Sequence, residues 1–394
     1  MGRSAECGYS LEKEADVRYR RTPIELESPE QLGYDTITNN LSESSFSDMR
    51  LADYGIEADV GDIVLPYGDH RGTERLRALV AARSGHLRPE DVLVTAGAAA
   101  ALFIINSALL EPGAHALICS PNYATNLETP LAIGADVERL ELRFEDGWQL
   151  DLERLAQRLR SDTRLVSVTY PHNPTGSTIS ADQLGALVEI VDNHPVARLL
   201  VDETYRDLAY DTPLPMATSL SPRALGVSSM SKTYGLPGLR VGWLTCRDEA
   251  LMETFLAAKE QIFITGAVLD EELTARVLER RHVILPSIHE RVASQLAIVR
   301  EWVEPNATFE WVAPQAGAVC FLRIRTDVDI DRFYRVLFEE HGTYVGGGHW
   351  FDQDRRFFRL GFAWPTPEEL ARGLRALDEA AAAASRPTRS LLSR

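Results

Sequence analysis

Short apolar runs alternate with helical patterns along much of the chain, from about residue 72 onward. Residues 184–191, for example, keep the apolar spacing of one helix face between two such runs. Runs that are apolar at every position are typical of parallel strands buried on both faces. We therefore expect an α/β fold whose mostly parallel sheet is covered by helices. The predicted strands of this large domain lie at 92–95, 115–119, 164–169, 198–201, 224–228 and 239–245.

The pattern changes near residue 303, where a smaller α+β domain is predicted. An amphipathic helix is expected around residues 330–337, and Thr366, followed by Pro-Glu-Glu, is typical of a capped helix start. The predicted strands of this domain lie near 307–311, 317–323 and 357–362.

The expected domain organisation has four parts. An irregular polar arm takes residues 1–30, and the large domain takes 31–300, its first residues being candidates for joining the smaller domain. The small α+β domain takes 301–385, and a disordered tail takes 386–394. The alanine-rich stretch before that tail is also expected to fray.

Composition narrows the class of protein. The 394 residues are 45% hydrophobic and 25% charged, which is typical of a globular protein with more than one core. The net charge of −17 argues against nucleic acid as a partner, because phosphate backbones need clustered cations. The N-terminus lacks an apolar signal core, and no apolar run approaches the length of a membrane helix, so a cytoplasmic protein is expected. Four cysteines without paired spacing predict no metal site.

One lysine stands among small residues directly after a predicted strand, in residues 228–243. Burial at a strand end would lower the pKa of Lys232 and free its amine to attack an aldehyde. The hydroxyls of Ser229 and Ser231, together with Arg240, could bind a phosphate dianion. The other interpretation is a solvent-facing lysine in a glycine-containing loop.

Polar side chains follow two further strands. Asp202 ends a predicted buried strand, where an acid needs a cationic partner such as a protonated ring nitrogen. Tyr205, three residues on, and Asn173, after the preceding strand, could donate hydrogen bonds to a ring oxygen. The alternatives are an Asp202 that caps the next helix and an Asn173 that only shapes a turn.

Two more strand ends could hold the phosphate and the ring of a cofactor. Gly97, Ala98 and Ala99 open a helix with small residues, which lets backbone N–H groups approach a phosphate. Small residues there could also serve only to pack the helix on the sheet. Tyr123, after another strand, offers a ring that can stack on a flat aromatic group.

Taken together, these segments resemble the fold-type I pyridoxal-phosphate (PLP) enzymes of the class I/II aminotransferase family. Ser-Met-Ser-Lys232-Thr-Tyr-Gly resembles the lysine motif of that family, in which the lysine carries the cofactor as a Schiff base. Asn173-Pro-Thr-Gly, Asp202-Glu-Thr-Tyr and the turn at Gly97 match its other markers in the expected order. The resemblance covers about residues 34–380 and implies pyridoxal 5′-phosphate as the cofactor.

Three further roles are implied by the resemblance alone. Tyr67 resembles a tyrosine that reaches the phosphate held by a partner subunit, which implies a homodimer with shared active sites. Arg359 resembles the arginine that grips the substrate α-carboxylate. The segment Gly346-Gly-Gly-His-Trp350 departs from the family pattern, and Trp350 is expected to form part of an unusual substrate wall.

The implied function is transamination of an L-amino acid, with a 2-oxo acid as the second substrate. Lys232 would move the Cα proton, and the ring held by Asp202 would stabilise the carbanion. An alternative is elimination, replacement or cyclisation, since capreomycidine synthase and aminocyclopropane-carboxylate synthase share these cofactor residues. A remote alternative is an aminotransferase-like sensor module, which the acidic charge and the short segment before residue 31 disfavour.

Overall fold

The computed structural model describes residues 19–57 and 60–385. The first eighteen residues of the predicted arm and the predicted tail lie outside the described residues. The strands are β1 (Asn39–Asn40), β2 (Val92–Thr95), β3 (His115–Ser120), β4 (Asp136–Glu141), β5 (Thr163–Thr169), β6 (Arg198–Asp202), β7 (Ala224–Ser229), β8 (Gly242–Thr245), β9 (Phe309–Trp311), β10 (Val319–Ile324), β11 (Thr343–Tyr344), β12 (Gly346–Gly347) and β13 (Phe357–Gly361).

Helices cover the sheets and connect most of these strands. They are α1 (Pro23–Glu27), α2 (Pro29–Leu32), α3 (Glu74–Ala81), α4 (Gly97–Leu109), α5 (Ala124–Ile133), α6 (Leu152–Arg158), α7 (Ala181–Asp192), α8 (Ala217–Leu220), α9 (Glu249–Ile262), α10 (Val268–Glu279), α11 (Arg281–Val303), α12 (Ile330–Glu339) and α13 (Pro367–Ala384). No helix within residues 19–57 and 60–385 is long and apolar enough to cross a membrane.

The large sheet has the strand order β2-β8-β7-β6-β5-β3-β4. The pairs from β7 through β6, β5 and β3 to β4 are parallel, whereas β8 runs antiparallel to both of its neighbours. Every residue of β2, β3, β7 and β8 is buried, as expected for strands covered on both faces. The predicted α/β fold with a mostly parallel sheet is therefore confirmed.

The smaller region is built on an antiparallel sheet of order β12-β13-β10-β9. Phe309, Phe333 and Phe358 lie in its core with ring centroids 5.8–6.2 Å apart. Strand β1 pairs in parallel with β11, so the chain around Asn39 packs against the C-terminal region. Arg359 of β13 reaches Asn173 in the loop that follows β5 of the large sheet.

Three local predictions differ from the structure. Strand β4 was not predicted, because its sequence, DVERLE, is mostly polar at an edge of the sheet. Strand β8 begins at Gly242 rather than at 239, since Pro237–Leu239 form a 3-10 turn. The alanine-rich end does not fray: α13 continues to Ala384 and buries three alanines near its end, Ala380, Ala381 and Ala384.

Candidate active site

The carboxyl ends of β3, β5, β6 and β7 open into one cavity of about 420 Å³. Such an edge is where ligands bind in open α/β sheets. Residues 22–32, which we call the strap, close the outer side of the cavity with α1 and α2. The wall contains the following candidate residues that the sequence singled out: Ala98, Ala99, Tyr123, Asn173, Asp202, Tyr205, Ser229, Ser231, Lys232, Arg240, Trp350 and Arg359.

Lys232 lies just beyond the end of β7 and faces this cavity. Its backbone carbonyl accepts a hydrogen bond from the Phe46 amide at 2.8 Å, which fixes the loop, while its amine has no hydrogen bond or ion pair within the described residues. Burial is the main cause that lowers the pKa of Lys232, and the carboxylates of Glu43 and Glu30 act against it. The arrangement suits an amine that must lose its proton to react.

Asp202 ends β6 and is 5% exposed. Its Oδ1 accepts hydrogen bonds from the Thr204 amide at 3.0 Å and the Thr204 hydroxyl at 2.6 Å, and its Oδ2 accepts one from Asn126 at 3.4 Å. Burial raises the pKa of Asp202, and these hydrogen bonds act in the opposite direction. The carboxylate therefore shapes a local turn through one oxygen and presents the other toward the cavity, where a cation would offset its burial.

Asn173 and Arg359 hold each other in the cavity wall. The Arg359 Nη1 donates to the Asn173 Oδ1 at 3.0 Å, and its Nη2 donates to the Ser42 carbonyl at 2.7 Å. Because the Asn173 oxygen is engaged, its amide nitrogen is left to donate elsewhere. The Nε of Arg359 is buried and has no hydrogen-bond partner within the described residues. An anion in the cavity would satisfy that donor.

The Tyr205 ring is 3% exposed, and its hydroxyl lines the same cavity. Burial raises the pKa of Tyr205 to about 12, and Arg359 acts against the rise. Ser44 lies beside the hydroxyl, which makes no hydrogen bond of normal geometry within the described part of the chain. A neutral phenol with an unused donor is therefore available to a ligand oxygen.

The start of α4 forms a cradle for an anion. Gly97 has a φ of +81°, and a Cβ at this position would lie 2.7 Å from the Arg240 guanidinium. A Cβ on Gly242 would lie 2.7 Å from the Ala98 nitrogen. Ala96 gives the helix no side-chain cap, so its first amides are free to bind a phosphate. Gly97 thus leaves room for the Arg240 guanidinium beside the start of α4, and Gly242 lets β8 pack directly against that turn.

Tyr67 does not line this cavity. Its side chain is 85% exposed, and its neighbours Val64 and Leu65 are 79% and 68% exposed. Within one chain, therefore, the structure brings Tyr67 together with none of the other candidate residues.

The Gly-Gly-Gly-His-Trp segment holds the strap. Glu27 Oε2 accepts a hydrogen bond from the Trp350 Nε1 at 2.7 Å and lies 2.8 Å from the His349 Nε2. The Tyr344 hydroxyl donates to the Glu27 carbonyl at 2.8 Å. A Cβ on Gly346 would lie 3.0 Å from the Trp350 ring, so this glycine lets the ring approach the backbone. The sequence predicted an unusual substrate wall at this segment. In the structure, His349 and Trp350 of the segment bind Glu27 of the strap.

Glu27→Ala is expected to loosen the strap without unfolding the protein. Amide hydrogen exchange in residues 22–32 should accelerate about tenfold, because two hydrogen bonds to a carboxylate are lost. Hydrogen exchange followed by mass spectrometry measures this rate. Glu290→Ala removes an exposed glutamate of α11 and serves as the control. Equal exchange in both variants would contradict the role of Glu27.

Several residues of the site carry no sequence motif. Asn126 binds the Asp202 carboxylate, Ser42 binds Arg359, and Glu30 and Glu43 enter the cavity wall from the N-terminal part of the chain. Asn126 is 76 positions from Asp202, and Ser42 is 317 positions from Arg359. Spacing along the chain therefore gave no indication of these residues.

The residues present fit pyridoxal phosphate. The cradle at Gly97 and Arg240 suits its phosphate, and the unpartnered Tyr205 hydroxyl suits its ring oxygen. The buried carboxylate of Asp202 suits a protonated ring nitrogen. The described residues contain no group of His, Cys, Asp and Glu side chains that could hold a metal ion.

Comparison with known proteins agrees with this site. The family model described as "Aminotransferase class I and II" matches residues 40–377. Capreomycidine synthase of Streptomyces vinaceus is 30% identical over 88% of this chain and 89% of its own length. Arginine–pyruvate transaminase AruH of Pseudomonas aeruginosa is 29% identical over 72% of this chain and 74% of its own. The crystal structure of the PLP-dependent cyclase OrfR has a TM-score of 0.84 and 27% identity, and covers 93% of this chain and 98% of that one.

Proposed function

The chain belongs to the class I and II aminotransferase family, and we propose that it is a PLP enzyme that transfers the amino group of an L-amino acid to a 2-oxo acid. The observation that carries the proposal is the free amine of Lys232, which faces the same cavity as the Asp202 carboxylate and the Arg359 guanidinium. When bound, PLP supplies the aldehyde that captures the substrate amine and the ring that takes up the electrons of the Cα bond.

The cofactor-binding residues divide into three groups. The first amides of α4, with Gly97, Ala98 and Ala99, would hold the phosphate together with the side chains of Ser229, Ser231 and Arg240. Asp202 would hold the ring nitrogen, which keeps the ring positively charged. Asn173 and Tyr205 would donate to the ring oxygen, and Tyr123 would stack on the ring face.

The substrate-binding residues act on the other side of the cavity. Arg359 would bind the α-carboxylate through the Nε–H, which has no partner among the described residues, while Asn173 and Ser42 keep its guanidinium in place. Trp350 would cover the substrate, since its ring lines the cavity and its nitrogen anchors the strap. Lys232 would take the proton from the substrate Cα once its amine is released. The strap would exclude water while this proton is held.

A second candidate function is elimination with cyclisation. It is favoured by the similarity to capreomycidine synthase over 88% of the chain and to the cyclase OrfR at a TM-score of 0.84. The cofactor-binding groups would serve both reactions, because both begin with removal of the Cα proton. The reactions differ in whether the amino group stays with the cofactor.

Single-turnover experiments distinguish the two functions. The PLP form of the enzyme is mixed with one amino acid at a time, without a 2-oxo acid, and the cofactor spectrum and the products are measured. Transamination predicts a stoichiometric conversion of PLP to pyridoxamine phosphate with one 2-oxo acid per site. Elimination or cyclisation predicts that the PLP spectrum returns while product continues to form, and this outcome would contradict transamination.

We further propose a homodimer in which Tyr67 serves the partner's site. Its exposure, next to Val64 and Leu65, supports this, because a contiguous apolar surface on a single chain is typical of an interface. Tyr67→Phe is expected to weaken PLP binding about tenfold through loss of one hydrogen bond to a charged group. Equilibrium binding of PLP to the apoenzyme measures this, and Tyr19→Phe, at another exposed tyrosine, is the control.

Subunit exchange separates action across the interface from action within the chain. Lys232→Ala chains mixed with Tyr67→Phe chains would form heterodimers with one site that carries both defects and one that carries neither. Shared sites therefore predict high-affinity PLP sites and partial recovery of activity. Unchanged PLP affinity in Tyr67→Phe, no recovery after exchange, or a fully active monomer would contradict this arrangement.

A further inference from the structure

The charges in the cavity do not balance once the proposed roles are assigned. Lys232, Arg240 and Arg359 are the cationic residues of its described wall, and the wall also contains four carboxylates, those of Glu25, Glu30, Glu43 and Asp202. In the proposed function, Arg240 pairs with the cofactor phosphate, Arg359 with the substrate α-carboxylate, and Asp202 with the ring nitrogen. Three glutamates remain for other roles.

Glu25 has a structural role in the strap. Its Oε2 accepts a hydrogen bond from the Thr22 amide at 2.7 Å, as part of the capping box that begins α1. A carboxylate engaged at a helix start is already satisfied by the backbone. Glu25 is therefore not needed for a ligand.

Glu30 and Glu43 have no such explanation. Glu30 makes no hydrogen bond or ion pair within the described residues, although it stands in the cavity wall. Within the part of the chain that the structure describes, Glu43 accepts a single side-chain hydrogen bond, from the Tyr34 hydroxyl at 2.9 Å, and its second oxygen accepts none. Both glutamates line the same cavity as Lys232 and Arg359.

A separate observation points to a ligand at this place. Arg359 is 4% exposed, and its Nε has no partner within the described part of the chain. In the proposed function this donor binds the α-carboxylate end of an amino acid, and the same cavity wall contains Glu43 and, from the strap, Glu30. Ile24, Pro29 and Trp350 supply an apolar wall beside them. An apolar stem with a polar end matches such a wall.

Resting on the proposed function, we propose that Glu30 and Glu43 form the subsite for a cationic side chain of the substrate, a guanidinium or an ammonium group. An acidic side chain would meet two like charges, and a neutral one would leave both carboxylates without a charged partner. A cation carries several N–H donors and pairs with both. Glu27, held by His349 and Trp350, is the positioning residue that places Glu30 over the cavity.

The test compares amino acids of similar shape and different charge. L-Arginine is paired with L-citrulline, in which a neutral ureido group replaces the guanidinium, and L-lysine is paired with L-norleucine. Dissociation constants are measured on the PLP-loaded enzyme from the change in the cofactor spectrum, and independently from the shift in melting temperature. Neither measurement requires turnover.

At least one cationic amino acid is expected to bind about tenfold or more tightly than its neutral counterpart. The ratio of the dissociation constants of the neutral and the cationic amino acid should fall severalfold in Glu30→Gln and in Glu43→Gln. In the double variant this ratio should be near one, while binding of the neutral amino acid changes little. Glu290→Gln, in an exposed part of α11, should keep the full preference.

Two results would overturn the subsite and leave the proposed function intact. One is equal binding of charged and neutral partners in the unchanged enzyme. The other is a preference for the cation that survives in the double variant. If none of the four amino acids changes the spectrum or the melting temperature, the subsite is contradicted as well. The proposed function is contradicted only if no amino acid converts PLP to pyridoxamine phosphate in the single-turnover experiment.

Discussion

Lys232→Ala is expected to lower the rate of Cα-proton removal by about a thousandfold or more, the range associated with a lost general base. The amine faces the cavity with no competing partner within residues 19–57 and 60–385, and burial lowers its pKa, so it is the residue best prepared to accept a proton. Lys259, the other lysine in the described residues, donates its ammonium hydrogen to the His70 carbonyl and is not in the cavity wall. No second amine within those residues can substitute for Lys232.

Exchange of the substrate Cα hydrogen with deuterated solvent measures this loss directly. Lys232→Arg tests the role of the positive charge, because arginine keeps the charge but does not release a proton near neutral pH. Both variants should retain the fold, which circular dichroism and the melting temperature check. If Lys232→Ala exchanges the substrate Cα hydrogen at a rate within tenfold of that of the unchanged enzyme, another group transfers the proton.

Asp202→Asn is expected to slow the same step about a hundredfold or more, the scale for a lost electrostatic contact with developing charge. The substitution preserves the size of the side chain and the acceptor that binds Thr204. It replaces the oxygen beside Asn126 by an amide that carries no negative charge and cannot accept a proton from the ring nitrogen. Packing is therefore kept, while the charge that stabilises a protonated ring is removed.

Asp202→Asn is measured with saturating PLP, so that loss of cofactor is separated from loss of rate. Asp182→Asn, in the exposed first turn of α7, provides the matched control. A variant that binds PLP and exchanges the Cα hydrogen at nearly the normal rate would reduce Asp202 to a residue that shapes the turn at Thr204.

The strands and the candidate residues that follow them were predictable because both depend on local sequence. Continuous apolar runs gave β2, β3 and β5 within one residue of their observed limits. Parallel strands end at one edge, so residues just after them, such as Lys232 and Asp202, were expected to meet. The structure places both in one cavity.

The strap and its acidic residues could not be predicted in the same way. Residues 22–30 of the strap fall in the predicted irregular arm, because α1 and α2 are too short to show an apolar period. Its position depends on Glu27 and Trp350, which are 323 residues apart, and no local pattern encodes such a contact. For the same reason Glu30 and Glu43 could be assigned to the cavity only from the structure.

The identity of the cofactor-binding lysine can be measured most directly, since the chain contains three lysines, Lys13, Lys232 and Lys259. The PLP-loaded enzyme is reduced with borohydride and digested, and the peptide that carries the pyridoxyl group is identified by mass spectrometry. The account predicts one pyridoxyl group per chain, on Lys232, with none on the other two lysines and none on the Lys232→Ala variant. A label on Lys13 or Lys259, or equal labelling of the Lys232→Ala variant, would contradict it.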